Sequence, residues 1–174
     1  MNQICTTKEQ SYRLLEAGVR PETADMYLDE FERLVAFEYS RIKSKAYQDT
    51  VLPTWSLSKL IEILPTNING YILIVDFENK GVEYSMTNFC DRLDYLYIKG
   101  YENLFDGIID CIEWLIKEGY LDNKFLTDKC GDCRLIEDED ANGEAWCAFH
   151  QKPVRCDSKA CDDILEKGGN DDHT

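Results

Sequence analysis

Residues 71–86, YILIVDFENKGVEYSM, decide the fold class. Positions 71–77 are rich in β-branched and aromatic side chains, Asn79, Lys80 and Gly81 form a turn, and positions 82–86 alternate in the manner of a paired strand. The stretch reads as a β-hairpin. A lone hairpin is not stable in water, so another element must cover one of its faces. The strongest candidate is LFDGIIDCIEWLIKEG, residues 104–119, where Leu104, Ile108, Ile112 and Leu115 recur at helical spacing, Ile109 and Ile116 widen the stripe, and Gly119 can end the helix.

Working outward, DRLDYLYIKGY (91–101) offers a third strand through Leu96 and Ile98. Upstream, PTWSLSKLIEILP (53–65) predicts a short helix capped by Ser56, with Leu57, Leu60, Ile61 and Leu64 on one side and Pro65 as its stop. TTKEQSYRLLEAG (6–18) predicts a first helix capped by Thr6 or Thr7, apolar through Leu14 and Leu15, and ended at Gly18. A second helix is predicted from Pro21 onward. Glu22 and Asp25 suit its first turns, and Tyr27, Phe31, Leu34 and Val35 recur at helical spacing, with Met26 and Phe37 nearer the edges. Residues 39–54 are polar and basic and read as a connecting loop or hinge.

The expected fold class is α+β, with helices packed on a small antiparallel sheet over residues 1–125. A cysteine-rich, zinc-ribbon-like metal-binding module is expected over 126–167, and GGNDDHT (168–174) reads as a disordered tail. No stretch approaches the roughly 20 apolar residues of a membrane span, and MNQICTTKEQSYR lacks the apolar core of a secretory signal, so the expected location is the cytoplasm. The net charge is −15, from 19 Lys and Arg against 34 Asp and Glu. Such a chain repels phosphate backbones and anionic lipid, which argues against nucleic acid or membrane partners and for a protein partner. Residues 130–174 hold five basic against twelve acidic side chains, concentrating the imbalance near the C-terminus. A solubilising surface explains this, and an acidic decoy that occupies a DNA-binding or defence protein is the sharper alternative.

Eight cysteines are distributed unevenly. Cys5, Cys90 and Cys111 are scattered, whereas Cys130, Cys133, Cys147, Cys156 and Cys161 fall within 32 residues, a clustering that points to metal ligation in a reducing compartment. Cys130-x2-Cys133 presents two thiolates from a tight knuckle, and Cys147-x2-His150 follows at ribbon distance, which matches a tetrahedral Cys3His zinc site. Cys161 competes with His150 as the fourth ligand, and Cys156 can replace either. A four-cysteine set equally suits a 4Fe-4S cluster. His150 also reads as an exposed loop histidine beside Gln151 and Lys152. Asp138, Asp140, Asn142 and Gly143 imitate the opening of a calcium loop, but position twelve is Phe149 instead of the bidentate glutamate. They read as a polar turn between two strands, with Asn142-Gly143 at its tip. Asp76, Glu78 and Asp110 have no base, nucleophile or phosphate loop beside them in sequence and read as surface carboxylates, so no catalytic residue is assigned.

Two resemblances add to this reading. EQSYRLLEAGVRPETADMYL, PTWSLSKLIEILP and FDGIIDCIEWLIKEGYL together resemble uncharacterised phage and prophage proteins of gut anaerobes, over about half the chain, with a longer join at DEFERLVAFEYSRIKSKAYQDT. CGDC, Gly143, Cys147 and VRCDSKACDD are similar to the cysteine framework of small iron-sulfur subunits that accompany glycyl-radical decarboxylases. That second resemblance implies Cys130, Cys133, Cys147 and Cys161 as cluster ligands, with Cys156 extra to the pattern. The functional expectation is a non-catalytic phage or mobile-element accessory protein with a structural metal, and the alternatives are an iron-sulfur subunit of a larger enzyme or the acidic decoy.

Overall fold

The computed structural model describes residues 3–36, 41–42, 45–48, 50–87, 93–130, 135–158 and 160–161. The chain divides into two compact units, Met1–Phe125 and Leu126–Thr174. The first is α+β. Its order is α1 (Lys8–Glu16), β1 (Met26–Leu28), β2 (Leu34–Val35), α2 (Lys45–Gln48), β3 (Leu52–Thr54), α3 (Leu57–Ile63), β4 (Asn67–Ile68), β5 (Tyr71–Asp76), β6 (Gly81–Thr87), β7 (Leu93–Gly100) and α4 (Leu104–Lys117).

The hairpin lies where the sequence puts it. β4, β5, β6 and β7 form an antiparallel sheet in chain order, with Leu73 opposite Tyr84 and Tyr84 opposite Tyr97 on one face. That face meets α4. The Trp114 ring packs against Tyr97 at a centroid distance of 4.8 Å and against Tyr84 at 6.3 Å. Ile108, Ile109, Cys111, Ile112 and Leu115 of α4 are fully buried, together with Leu14 of α1, Leu60 of α3 and Val82 and Tyr84 of β6. α4 is apolar on most of its circumference because α1, α3, β6 and β7 all pack on it.

α1 starts at a capping box: the Thr7 side chain accepts from the Gln10 N–H, and the Gln10 side chain accepts from the Thr7 N–H. Gly18 follows α1 at φ 96°, a left-handed conformation that costs glycine little. Ser56 caps α3, whose buried side is Leu60, Ile63 and Leu64. Ile61 and Leu57 are only half buried, so the apolar stripe is rotated from the expected one.

Two expectations are corrected. The second helix is absent: Pro21–Thr23 is a single 3-10 turn, and Met26–Leu28 and Leu34–Val35 pair as antiparallel strands. Asp29 is the reason. Its carboxylate accepts the Phe31 and Arg33 N–H groups, both at 2.9 Å, and pairs with the Arg33 guanidinium, while Glu32 turns the chain at φ 57°. Side-chain bonds of this kind compete with helical ones. The predicted loop over 39–54 contains α2 and β3, with residues 39–40, 43–44 and 49 outside the described set. β3 pairs with β1, Pro53 opposite Tyr27, at the edge of the β2-β1-β3 sheet, where a missing N–H is tolerated.

Trp55 follows β3 and is fully buried, its indole N–H donating to Thr23 Oγ1 at 2.8 Å. The Asp25 carboxylate accepts from both the Ser56 N–H and the Ser56 hydroxyl, tying the chain before β1 to the start of α3.

In the second unit, β8 (Ile136–Glu137), β9 (Glu144–Cys147) and β10 (Lys152–Arg155) form an antiparallel sheet in the order β10-β9-β8. The turn between β8 and β9 is polar. Asp140 accepts the Asn142 and Glu144 N–H groups at 2.8 and 2.9 Å, and Gly143 adopts φ 75°. The 168–174 tail lies outside the described residues.

Candidate metal centre

β9 alternates, with Ala145 and Cys147 buried and Glu144 and Trp146 exposed. Cys147 lies opposite Ile136 of β8 and Lys152 of β10, so its side chain projects from the face that these partners share. The chain turns immediately after β9, with Gln151 at φ 50° and the Phe149 ring edge-on to His150 at 4.9 Å. Within this turn the His150 N–H donates to Cys147 Sγ at 3.5 Å. This bond fixes the direction of the Cys147 side chain at the start of the turn.

Cys130 arrives from the other direction. Its N–H donates to the Ser158 carbonyl and the Ala160 N–H to the Asp128 carbonyl, both at 2.8 Å, so Asp128 and Cys130 are held beside Ala160 and Ser158. This bonding brings Cys130 and Cys161 to one side of the unit. Together with Cys147 and His150 they line a cavity of about 350 Å³, walled by Ile136 and Val154. Cys156, whose N–H donates to the Gly143 carbonyl at 2.8 Å, is not among the lining residues. Cys133 lies outside the described residues. Among the described residues, no three His, Cys, Asp or Glu side chains are gathered closely enough to hold one ion. The donor chemistry fits a thiophilic ion, and the arrangement brings four candidate ligands to one concavity without converging them on a point.

In the first unit a larger concavity, about 510 Å³, is lined by α1 residues Lys8 and Tyr12 and by Leu28, Asp29, Glu32 and Pro53 from the strand region. Lys8 and Glu32 pair across it at 2.8 Å, and Asp29 is taken up by its turn and Arg33. Among the described residues that line it, no general base stands beside a nucleophile. A spurious helix over 21–37 hides this cleft from the sequence.

Asp110 is more than a surface carboxylate. It accepts from Arg13 of α1 at 2.6 Å, from Lys99 of β7 at 2.7 Å and from the Tyr101 hydroxyl at 2.9 Å, joining three elements. Burial works to raise its pKa, and the bonds from Arg13, Lys99 and Tyr101 outweigh that and hold it below the ordinary carboxylate value. The neighbouring Cys111 thiol is pushed up to about 12, first by burial and then by the Asp110 charge. It is a packing residue. Asp76 accepts the Glu78 and Asn79 N–H groups at 2.9 Å and shapes the β5–β6 turn. Among the described residues no helix is long and apolar enough to cross a membrane. No protein family, curated protein or solved structure matches the chain.

Proposed function

We propose that the second unit is a metal-stapled module, closed on a structural zinc ion, and that the acidic α+β unit serves a protein partner. The observation that carries this reading is the shared cavity lined by Cys130, Cys147, His150 and Cys161. Cys133, three residues beyond Cys130 in sequence, is proposed as a further ligand on the Cys-x2-Cys spacing alone. The candidate ligands Cys130, Cys133, Cys147, His150 and Cys161 outnumber the four positions of a tetrahedral shell, so the proposed metal needs no open position and is assigned a folding role. The size of the unit supports this. Its buried apolar side chains are few, Ala145 and Cys147 among the described residues, too few for a self-sufficient core.

The protein is read as a non-catalytic accessory factor, in keeping with the resemblance of about half the chain, in stretches between residues 9 and 121, to phage and prophage proteins. Its charge of −15 favours a basic protein surface over nucleic acid. An iron-sulfur subunit is the second reading, favoured by three thiols, Cys130, Cys147 and Cys161, on the same cavity. Anaerobic purification with elemental analysis separates the two. A colourless protein with one equivalent of zinc supports the first. A brown protein containing iron and acid-labile sulfide establishes the second, and a metal-free protein that keeps its C-terminal fold removes both.

A further inference from the structure

β7 is the edge of the four-stranded sheet, and β6 is the one strand it pairs with among the described residues. Its eight residues contain no proline, and no hydrogen bond from its outer edge covers it among the described residues. An uncovered strand of this length is a template for a further strand. The face turned away from α4 is also apolar. Ile72 and Ile74 of β5 and Leu93, Tyr95 and Ile98 of β7 all lie on it, between 41% and 59% exposed.

The register carries a further property. Tyr84 lies opposite Tyr97 but Ser85 lies opposite Tyr95, so Leu96 is a bulge residue. The bulge reverses the alternation along β7. Tyr95 and Ile98 share the outer face, opposite Ser85 and Glu83, while Asp94 and Lys99 share the α4 face, opposite Met86 and Val82. Two copies of this strand laid antiparallel about a two-fold axis between Leu96 and Tyr97 therefore match face for face. Tyr95 meets Ile98, and Asp94 meets Lys99, twice each.

We propose that β7 is the docking edge for a second copy of this chain, which continues the sheet across the two-fold axis. Cross-strand pairs of opposite charge and of an aromatic with a β-branched side chain favour this register. Lys99 already meets Asp110 at 2.7 Å, and its ammonium has further protons to donate to Asp94 of a second copy. Bulges commonly protect edges, but this one falls at the symmetry axis, where Leu96 meets Tyr97 of the second copy, and leaves the flanking pairs in step.

Sedimentation equilibrium and native mass spectrometry of the full chain under reducing conditions test this. The expected mass is twice 20.2 kDa, with Asp94→Lys and Lys99→Asp each raising the dissociation constant by roughly tenfold or more. Mixing the two variants restores a dimer that contains one of each, because both contacts become attractive again. A parent that stays monomeric overturns the proposal. So does a dimer that Asp94→Lys leaves intact, including one that chelation dissolves, or a mixture that forms no heterodimer while both variants keep the parent melting temperature.

Discussion

The Arg13 guanidinium reaches the Asp110 carboxylate at 2.6 Å across 97 positions of sequence, and a second pair of contacts from the same guanidinium to Glu113 locks α1 along α4. The folded pKa of Asp110 lies below its ordinary value, so its bonds add stability at neutral pH. That contribution is lost as the pH falls through the ordinary value, about 3.9, and then through the lower folded one. Asp110→Asn is expected to cost about 1–2 kcal/mol at neutral pH. Denaturant titrations should show the gap between parent and variant closing toward acid. A gap that is constant over the whole range would detach stability from this carboxylate.

Ile112 is fully buried between α4 and the elements packed on it. Ile112→Asp places a charge in that core and should cost several kcal/mol, comparable with the whole stability of a domain of this size. Thermal melting checks it, and a variant melting within a few degrees of the parent would contradict the packing.

Cys130→Ser, or chelation, should unfold the second unit and leave the first largely intact, since metal binding supplies most of a small module's folding free energy. Hydrogen exchange resolved along the chain should lose protection after about residue 125 and retain it in α4. Uniform loss would make the second unit part of one cooperative core.

The Cys111 thiol, buried and pushed up to about 12, is expected to be the last of the described cysteines to alkylate in the native protein. Mass-spectrometric timing against Cys161, which is half buried, gives the comparison. Early labelling of Cys111 would mean that α4 opens more readily than its packing implies.

β7 is legible in the sequence only as a strand, because the bulge at Leu96 breaks the alternation and leaves Ile98 on the face turned away from α4. The hairpin and α4 are legible because the spacing of their apolar side chains matches their own geometry. Residues 21–37 mislead for the same reason: Tyr27, Phe31, Leu34 and Val35 fit a helical period, yet one Asp29 side chain holds a turn that no periodicity reveals. β3 is obscured by Pro53, which an edge position accommodates. Spacing singles out the clustered cysteines and His150 as candidates. Which of them share a cavity is not legible, because the pairing of Asp128 and Cys130 with Ala160 and Ser158 depends on backbone bonds. Asp110 escapes notice because its partners Arg13 and Lys99 come from other elements.

The three tryptophans are divided between the two units, Trp55 and Trp114 in the first and Trp146, 44% exposed on β9 beside Cys147, in the second. The protein thus carries its own optical labels. Trp55 sits in a dry site and should emit toward the blue, while Trp146 is wetted and one residue from a proposed ligand. With Trp55 and Trp114 replaced by phenylalanine, the remaining emission would report the second unit alone, so metal loading and module folding could be followed in the intact chain.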